Sequence, residues 1–432
     1  MKSKKIQMLE MILRWMAIAV LKKYKPLVIG ITGSVGKTSA KEAVFLVLSS
    51  KFRVRKNEKN YNNEIGIPLT VIGSESGGRS LWGWVKVTAR WTEAVVFPFR
   101  YPEVLVLEMG VDRPGDMKYL ASFIPLKIGV VTSISSSHLE FFKNVDQIAK
   151  EKGKILEGLG EDGVAILNAD DEKIFSMKDE TRARVITFGF EEKADLRASH
   201  VTYVQGEKEP EGIAFKLNYE GKFIPVRLPH VLASHQIGAV LAGAAAGIAL
   251  KINLVDIAEA LEQFSAPPGR MKLIKGIKDS LVIDDTYNAS PASAVAALTA
   301  LENLRALRKI AVLGDMLELG KEMEKGHRQV ARKVFEINAD LFFAVGERMK
   351  LAMNELETLG YSPERMHYFE SPQEASRILK EFIKKGDLVL VKGSQSMRME
   401  KIVEGLMAEP DSASKLLCRQ SAEWRNRPFA KP

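Results

Sequence analysis

One glycine-rich stretch near the amino terminus restricts the possible folds more than any other feature of the chain. Residues 30–39 read Gly-Ile-Thr-Gly-Ser-Val-Gly-Lys-Thr-Ser, between a short apolar run and a helix-like segment at 40–48. Phosphate binding needs this order of strand, glycine turn and helix, because the glycines free backbone N–H groups to surround an anion and the helix N-terminus adds partial positive charge. Lys37 can neutralise terminal phosphates and the Thr38 hydroxyl can ligate Mg²⁺. The stretch therefore predicts an ATP site, although its first glycine lies one position before that of the strict P-loop spacing. The expected nucleotide contacts here are Gly33, Ser34, Gly36, Lys37, Thr38 and Ser39.

The balance of charge is basic, with 63 Lys and Arg against 54 Asp and Glu, a net charge of +9. The basic residues are scattered and no nucleic-acid recognition motif accompanies them, so we expect no nucleic-acid partner. An anionic substrate or the inner membrane surface explains the charge equally well. The single cysteine, Cys418, excludes an internal disulfide framework and favours a reducing compartment, the cytoplasm.

Two segments allow an interpretation as membrane-contacting helices. Residues 1–25 place apolar side chains at helical spacing between charged ones, without the uninterrupted apolar run of a secretory signal or a spanning helix. They predict either a basic amphipathic helix that touches a membrane or a helix packed on the first domain. Residues 79–101 carry three tryptophans among basic residues. For this segment a helix packed on the core is favoured over a membrane or partner surface.

Polar residues follow several buried-type strands of the first half. Glu108 ends the apolar run 104–107, and His138 follows another strand; at the carboxyl edge of a parallel sheet both are candidate metal ligands, His138 with an equal chance of a structural role. Asn168 ends a third strand and suits nucleotide contacts. Asn62 and Asn63 lie in a loop, where they are expected either to reach a ligand or to stabilise the turn.

The chain changes pattern after residue 265, where Ala-Pro-Pro-Gly-Arg breaks a helix and repeated strand–helix units begin. We expect an α/β fold: a P-loop-type central ATPase domain with a mostly parallel, doubly wound sheet, then a second Rossmann-like α/β domain that closes over the ATP. We expect the charged side chains at 150–154 to face solvent. The expected segments are a basic amphipathic helix at 1–25, the central domain at 26–265, the second domain at 266–408 and a polar, mobile tail at 409–432.

Nine motifs between residues 26 and 407 follow one another in an order that is itself informative. They are GITG (30–33) with KT (37–38), NNEIGIP (62–68), LEMG (107–110), HLE (138–140), AKEKG (149–153), PGRM (268–271), DDTYNASP (284–291), LGDMLELG (313–320) and KGS (392–394). This series resembles that of the Mur ligases, and most of all the branch that adds D-alanyl-D-alanine to a UDP-muramoyl-peptide in peptidoglycan precursor synthesis.

The resemblance implies an ATP-dependent, ADP-forming peptide ligase that works through an acyl phosphate, with ATP and Mg²⁺. Apart from the resemblance, we expect a monomer. It implies catalytic roles for Lys37, Lys152, His138 and Glu108, with Thr38, Glu108 and His138 at the metal. Lys152 matches a lysine that the family carbamylates. Asn168, Arg270, Asp285 and Tyr287 are implied at the nucleotide, and Asn62, Asn63 and Asn288 at the substrates.

Several positions depart from the pattern of that branch. Val35, Lys154, Ser290 and Gln395 stand where Asn, Glu, Asn and Arg are common. The branch also carries an N-terminal domain for the uridine nucleotide, and about 25 residues precede the ATP domain here. Two alternatives therefore stay open: a Mur-like ligase that joins an amino acid or peptide to a different carboxylate, and a non-catalytic nucleotide-binding scaffold.

Overall fold

Two α/β units follow one another in the chain, each built on its own sheet. The computed structural model describes residues 3–58, 61–78, 80–98, 100–135, 142, 144–206 and 209–429. The first sheet has nine strands in the order β2-β3-β1-β4-β5-β6-β7-β8-β9, and the second has six in the order β10-β11-β15-β12-β13-β14. The strands of the first sheet are β1 Leu27–Thr32, β2 Val54–Lys56, β3 Val104–Glu108, β4 Leu126–Val131, β5 Val164–Asn168, β6 Arg184–Gly189, β7 Leu196–Gln205, β8 Pro210–Tyr219 and β9 Lys222–Leu228. Those of the second are β10 Lys272–Lys275, β11 Leu281–Asp285, β12 Arg308–Gly314, β13 Leu341–Val345, β14 Met366–Phe369 and β15 Asp387–Lys392.

The first sheet is parallel from β2 to β7 and antiparallel from β7 to β9. Its central strands read as continuous apolar runs because helices cover both faces. Ile29 and Val106 face a core formed with α2 and α8, whereas Val28 and Leu105 face the opposite core, formed with α5 and α6. The helices of this half are α1 Lys4–Tyr24, α2 Lys37–Ser49, α3 Gly66–Ile72, α4 Leu81–Val96, α5 Asp116–Ala121, α6 Val145–Glu157, α7 Glu172–Phe175, α8 Ile237–Ala249 and α9 Leu254–Glu262.

The second sheet is parallel except for β10, which pairs antiparallel with β11. Alternate residues of its strands again enter two separate cores. The helices of this half are α10 Pro291–Asn303, α11 Met323–Glu336, α12 Lys350–Thr358, α13 Pro372–Phe382, α14 Glu400–Leu406, α15 Ala413–Leu416 and α16 Ala422–Arg425. The predicted fold class, a P-loop unit with a mostly parallel sheet followed by a Rossmann-like unit, is confirmed.

The final segment corrects the expectation of a mobile tail. It packs on the second unit: Ala413 and Leu417 are buried, and Arg419 donates to the carboxylate of buried Glu400 at 2.9 Å and to the Thr286 carbonyl at 3.0 Å. A buried ion pair with a backbone acceptor needs a fixed chain. The segment is therefore held on the second unit at Arg419, although many of its side chains are exposed.

Helix α1 packs through one face only. Leu13, Met16 and Val20 are buried against the first unit, mainly α3 and α4, as the second interpretation of the sequence expects, while Met11 and Trp15 on the other face are exposed. None of the helices in the described ranges has the length and apolar character needed to cross a lipid bilayer.

Candidate active site

The loop between β1 and α2 lies at the carboxyl edge of the first sheet and has the backbone of an anion cradle. Gly33 and Gly36 have φ values of +150° and +86°, which other residues rarely adopt. A Cβ at Gly33 would lie 2.0 Å from Thr132 Oγ1 at the end of β4, so the loop and β4 are in close contact. Ser34 N donates to Ser133 O at 2.7 Å and holds the loop over that strand end.

Lys37 is the first residue of α2 and turns back over the loop. Its Nζ donates to Gly33 O at 2.8 Å and to Ser34 O at 3.4 Å. Burial lowers its pKa, an effect that the nearby carboxylate of Glu108 opposes. The cation is thus already aimed at the space enclosed by the loop, where it can exchange two carbonyl partners for phosphate oxygens.

Thr38 and Glu108 form the centre of a polar cluster that joins both units of the chain. The Thr38 hydroxyl donates to Glu108 Oε2 at 3.0 Å and accepts from Arg270 Nη2 at 3.1 Å. Asn62 Nδ2 donates to Glu108 Oε1 at 3.1 Å. Thr38 and Arg270 therefore meet at the phosphate loop, although they lie 232 positions apart in the sequence.

Two residues that the sequence analysis missed hold Glu108 in place. Asn57 is fully buried; its Oδ1 accepts from Glu108 N at 2.8 Å and its Nδ2 donates to Glu108 O at 3.2 Å. Lys41, also buried, donates to Asn57 O at 2.8 Å and lies 3.8 Å from Glu108 Oε2. Lys41 was detectable, because it follows Thr38 by three residues and shares its helix face.

Lys152 and its neighbour Glu151 overturn the expectation of solvated charges on α6. Both are buried, and burial lowers the pKa of Lys152 to about 7, with the Lys37 cation as the next cause. Glu151 accepts from Gly115 N at 2.9 Å and from Met117 N at 3.1 Å at the start of α5, and pairs with Lys154 at 2.5 Å. Near pH 7 the helix therefore presents an amine to the site that is neutral in about half of the molecules.

Arg270 and Tyr287 belong to the second unit and stack beside the loop. The Arg270 guanidinium lies 4.2 Å from the centroid of the Tyr287 ring, within the range of a cation–π contact. Burial raises the pKa of the Tyr287 hydroxyl. Arg419 donates to the carbonyl of Tyr287 and fixes its backbone from the C-terminal segment.

Asp285 and Asn288 belong to a second polar cluster, at the end of β11. Lys392 Nζ contacts Asp285 Oδ2 at 2.6 Å and Asn288 O at 2.9 Å. Asp285 Oδ1 accepts from Met271 N at 3.2 Å, which links this cluster to the residue after Arg270.

The remaining predicted residues divide between the site and structural roles. Asn168 Nδ2 donates to Thr132 O at 2.8 Å at the same sheet edge, and Ser39 is buried in the first turn of α2. Asn63 Oδ1 accepts from Gly66 N at 2.9 Å and thus stabilises the turn before α3, one of its two expected roles. Ser290, a departure from the family pattern, caps α10. His138 lies outside the described residues.

The oxygen donors at the loop suit Mg²⁺. A threonine hydroxyl and a carboxylate in mutual contact, beside a phosphate cradle, are hard oxygen ligands of the kind that Mg²⁺ shares with substrate phosphates and water. The residues fit the ion. Within the described ranges no cluster of three or more His, Cys, Asp or Glu side chains suited to a metal occurs.

Comparison with known proteins identifies the family. Residues 95–247 match the model of the Mur ligase middle domain, and residues 269–395 match that of the Mur ligase glutamate ligase domain. A UDP-N-acetylmuramoyl-tripeptide–D-alanyl-D-alanine ligase of Bacillus subtilis is 30% identical over 401 residues, which cover 92% of this chain and 79% of that protein. The chain belongs to the Mur ligase family.

Solved structures of the family agree with this assignment. MurF from Acinetobacter baumannii superposes with a TM-score of 0.77 at 25% identity, over 93% of this chain and 81% of the other. MurF from Thermotoga maritima, solved in complex with ADP, superposes with a TM-score of 0.75 at 25% identity, over 92% of this chain and 83% of the other. The similarity to Mur ligases therefore extends through both sheets.

Proposed function

We propose that this chain is an ATP-dependent, ADP-forming ligase that adds D-alanyl-D-alanine to a UDP-muramoyl-peptide in peptidoglycan precursor synthesis. The observation that carries the proposal is the contact of Thr38 with both Glu108 and Arg270, since it joins a phosphate loop to a cation from the other unit. Pure nucleotide binding does not need this arrangement, whereas phosphoryl transfer needs charge neutralisation on both sides of the phosphate. The B. subtilis relative, by its name, carries out this reaction.

In the proposed reaction a carboxylate oxygen of the acceptor attacks the γ-phosphorus of ATP, and ADP leaves. The amine nitrogen of the second substrate then attacks the carbonyl carbon of the acyl phosphate, loses a proton and displaces inorganic phosphate. Lys37 and the loop N–H groups bind the phosphates, Arg270 neutralises developing charge from the opposite side, and Asn62 with Asn57 orients Glu108. Mg²⁺, held by Thr38 and Glu108, supplies further charge neutralisation when bound.

Lys152 is proposed to act as a carbamate. Its pKa of about 7 leaves much of the amine unprotonated near neutral pH, and the free amine is the form that adds CO₂ with loss of a proton. The product carries negative charge in place of positive charge beside the Lys37 cation. We expect Lys152→Ala to abolish turnover, with partial rescue by short-chain carboxylic acids; undiminished activity of this variant contradicts the role.

The finer assignments complete the proposal. His138 is proposed as a metal ligand, Asn168, Asp285 and Tyr287 as nucleotide contacts, and Asn63 with Asn288 as substrate contacts. We propose that the enzyme works as a monomer in the cytoplasm, with a peripheral contact of its first helix at the inner membrane face. Light scattering at micromolar concentration tests the monomer, and a dimer mass contradicts it.

The decisive test is release of ADP and phosphate from Mg-ATP, with UDP-muramoyl tripeptide and D-alanyl-D-alanine added separately and together. We expect release only with both, and its loss in Lys37→Ala but not in Lys51→Ala, a half-exposed lysine just beyond the same helix. If release occurs only with a different carboxylate acceptor, the ligase reaction stands and the proposed acceptor is wrong. ATP binding without release under any pairing overturns the ligase and leaves the scaffold.

A further inference from the structure

The two helices α1 and α4 lie side by side, and both expose apolar side chains to solvent. Trp91 Nε1 donates to Met16 O at 3.0 Å, and Lys23 Nζ near the end of α1 donates to Phe97 O, just after α4, at 2.8 Å. The rings of Trp15 and Trp91 lie 5.1 Å apart between the helices. We call the exposed face of the two helices the α1–α4 surface.

The α1–α4 surface carries most of the exposed large apolar side chains in the described ranges. Of the sixteen large apolar side chains exposed in the described ranges, ten belong to these two helices and the residue after α4. Most are more than half exposed, and Leu81 reaches 85%. They are Ile6, Met8, Met11, Ile12, Trp15, Leu81, Trp82, Val85, Val96 and Phe97. Contiguous apolar patches of this kind mark sites of interaction.

Basic residues outnumber acidic ones on and beside these two helices. Residues 3–25 and 80–100 contain nine Lys or Arg and two Glu, an excess of seven positive charges, whereas the excess of the whole chain is nine. Basic residues occur throughout the chain, but the excess over acidic ones is concentrated here. Lys4 and Lys22 lie exposed at the two ends of α1, and Lys86 is exposed on α4. Of the two acids, Glu93 pairs with Arg90 at 2.6 Å.

We propose that the α1–α4 surface docks on an anionic lipid membrane, a step that extends the peripheral contact of the first helix proposed above and rests on that part of the proposed function. Trp and Met side chains enter the headgroup region while lysine stems reach outward to lipid phosphates, so apolar burial and charge attraction act together. Trp15 and Trp82 are of the residue type that prefers this boundary.

The charge also favours lipid over two protein occupants. An isologous contact with a second copy brings two patches of the same positive sign together, which costs energy. Contacts with other proteins are depleted in lysine at their core. A bilayer rich in anionic headgroups meets both the apolar centre and the positive rim of the surface.

Flotation with lipid vesicles, in the absence of ATP and substrates, tests the proposal on the full chain. We expect vesicles of phosphatidylcholine with about 30% phosphatidylglycerol to bind at least about tenfold more protein than pure phosphatidylcholine, with binding weakened by added salt. A double variant, Trp15→Ser with Trp82→Ser, is expected to lose about tenfold or more in binding. The control, Phe223→Ser with Leu307→Ser, removes equally exposed apolar residues elsewhere and is expected to bind as wild type.

A second pair of variants tests the charge. Lys22→Gln with Lys86→Gln is expected to reduce binding to anionic vesicles severalfold, whereas Lys216→Gln with Lys222→Gln, two exposed lysines of the β8–β9 hairpin, leaves it unchanged. No binding to either vesicle, equal binding to both, or a dimer that the tryptophan variant dissociates overturns the proposal. Turnover without vesicles, measured on the same variants, is expected to stay at the wild-type level. Because vesicle binding is measured without ATP and substrates, its result does not depend on whether the ligase function is correct.

Discussion

At the scale of single residues, Lys152 destabilises the fold, but its burial also supplies the unprotonated amine that the proposed chemistry needs. A buried amine avoids the cost of an unpaired charge by losing its proton, which is why its pKa falls to about 7. In the unfolded chain the same amine keeps a pKa near 10.5. Between these values the unfolded state binds more protons than the folded state, so this residue destabilises the fold most at low pH, and stability rises with pH across the interval.

Replacing Lys152 with methionine should therefore stabilise the protein while removing activity. At pH 7 the expected gain in the free energy of unfolding is a few kcal/mol, because each unit of pKa depression corresponds to about 1.4 kcal/mol. The gain should shrink toward pH 10. Urea unfolding of wild type and Lys152→Met at both pH values measures it, with Lys150→Met, an exposed neighbour, as control. A gain that is independent of pH would show that Lys152 is not neutral in the fold.

Glu108 is expected to be indispensable because Thr38 and Asn62 hold its carboxylate while Asn57 holds its backbone. Glu108→Ala should lower turnover by about 10³-fold, the scale of a lost charge-stabilising group. Glu103→Ala, at the exposed start of the same strand, serves as the matched control. Steady-state release of phosphate measures both, and similar rates for the two variants would exclude Glu108 from the reaction.

Some of the residues at the candidate active site could be predicted from the sequence. Lys37 and Glu108 occupy positions that local rules fix: the start of a helix after a glycine turn and the end of an apolar strand. The burial of Lys152 and the clamp by Asn57 depend on chain segments far away in sequence. The cost of burying an amine is set by those tertiary neighbours, and a charge run alone does not reveal them.

At the scale of elements, the position of α2 behind the phosphate loop depends on α8. The two helices approach so closely at Gly243 that a Cβ there would lie 2.8 Å from the backbone carbon of Ala43. Such an approach permits only the smallest side chains at the contact. The alanine-rich sequence of α8 is thus a requirement of its packing against the helix that carries Lys37 and Thr38.

Gly243→Ala is expected to destabilise the protein by about 1–3 kcal/mol, since backbone rather than a flexible side chain must move. Gly238→Ala on the same helix supplies the contrast, because a Cβ at that position meets nothing within 4 Å. Helix propensity there should give a gain of up to about 1 kcal/mol. Urea titration measures both, and equal effects of the two substitutions would refute the close contact.

The elements themselves followed from the sequence wherever they are short and strongly patterned. The central strands β1, β3 and β4 were expected as apolar runs. The C-terminal segment and α4 were harder. The first is polar and yet is held on the second unit by the ion pair of Arg419 with Glu400. The second has apolar residues around most of its circumference, so pattern does not show which side faces the core.

At the scale of the whole molecule, the contact of Arg270 with Thr38 brings like charges together. Lys37 lies close enough that the Arg270 cation contributes to lowering its pKa. Without an anion, this repulsion opposes the approach of the two units. When ATP phosphates lie between the two cations, the net interaction becomes attractive. Nucleotide should therefore shift the population toward the closed arrangement.

We therefore expect ATP with Mg²⁺ to reduce the radius of gyration measured by small-angle scattering, and Arg270→Ala to remove that reduction while raising KM for ATP by about tenfold, the effect of a lost charged partner. Arg305→Ala, an exposed arginine of the second unit, should compact as wild type does. If wild-type profiles with and without nucleotide are identical, the units do not move. If Arg270→Ala still compacts, closure is driven by contacts other than the arginine, and the charge argument fails while the motion stands.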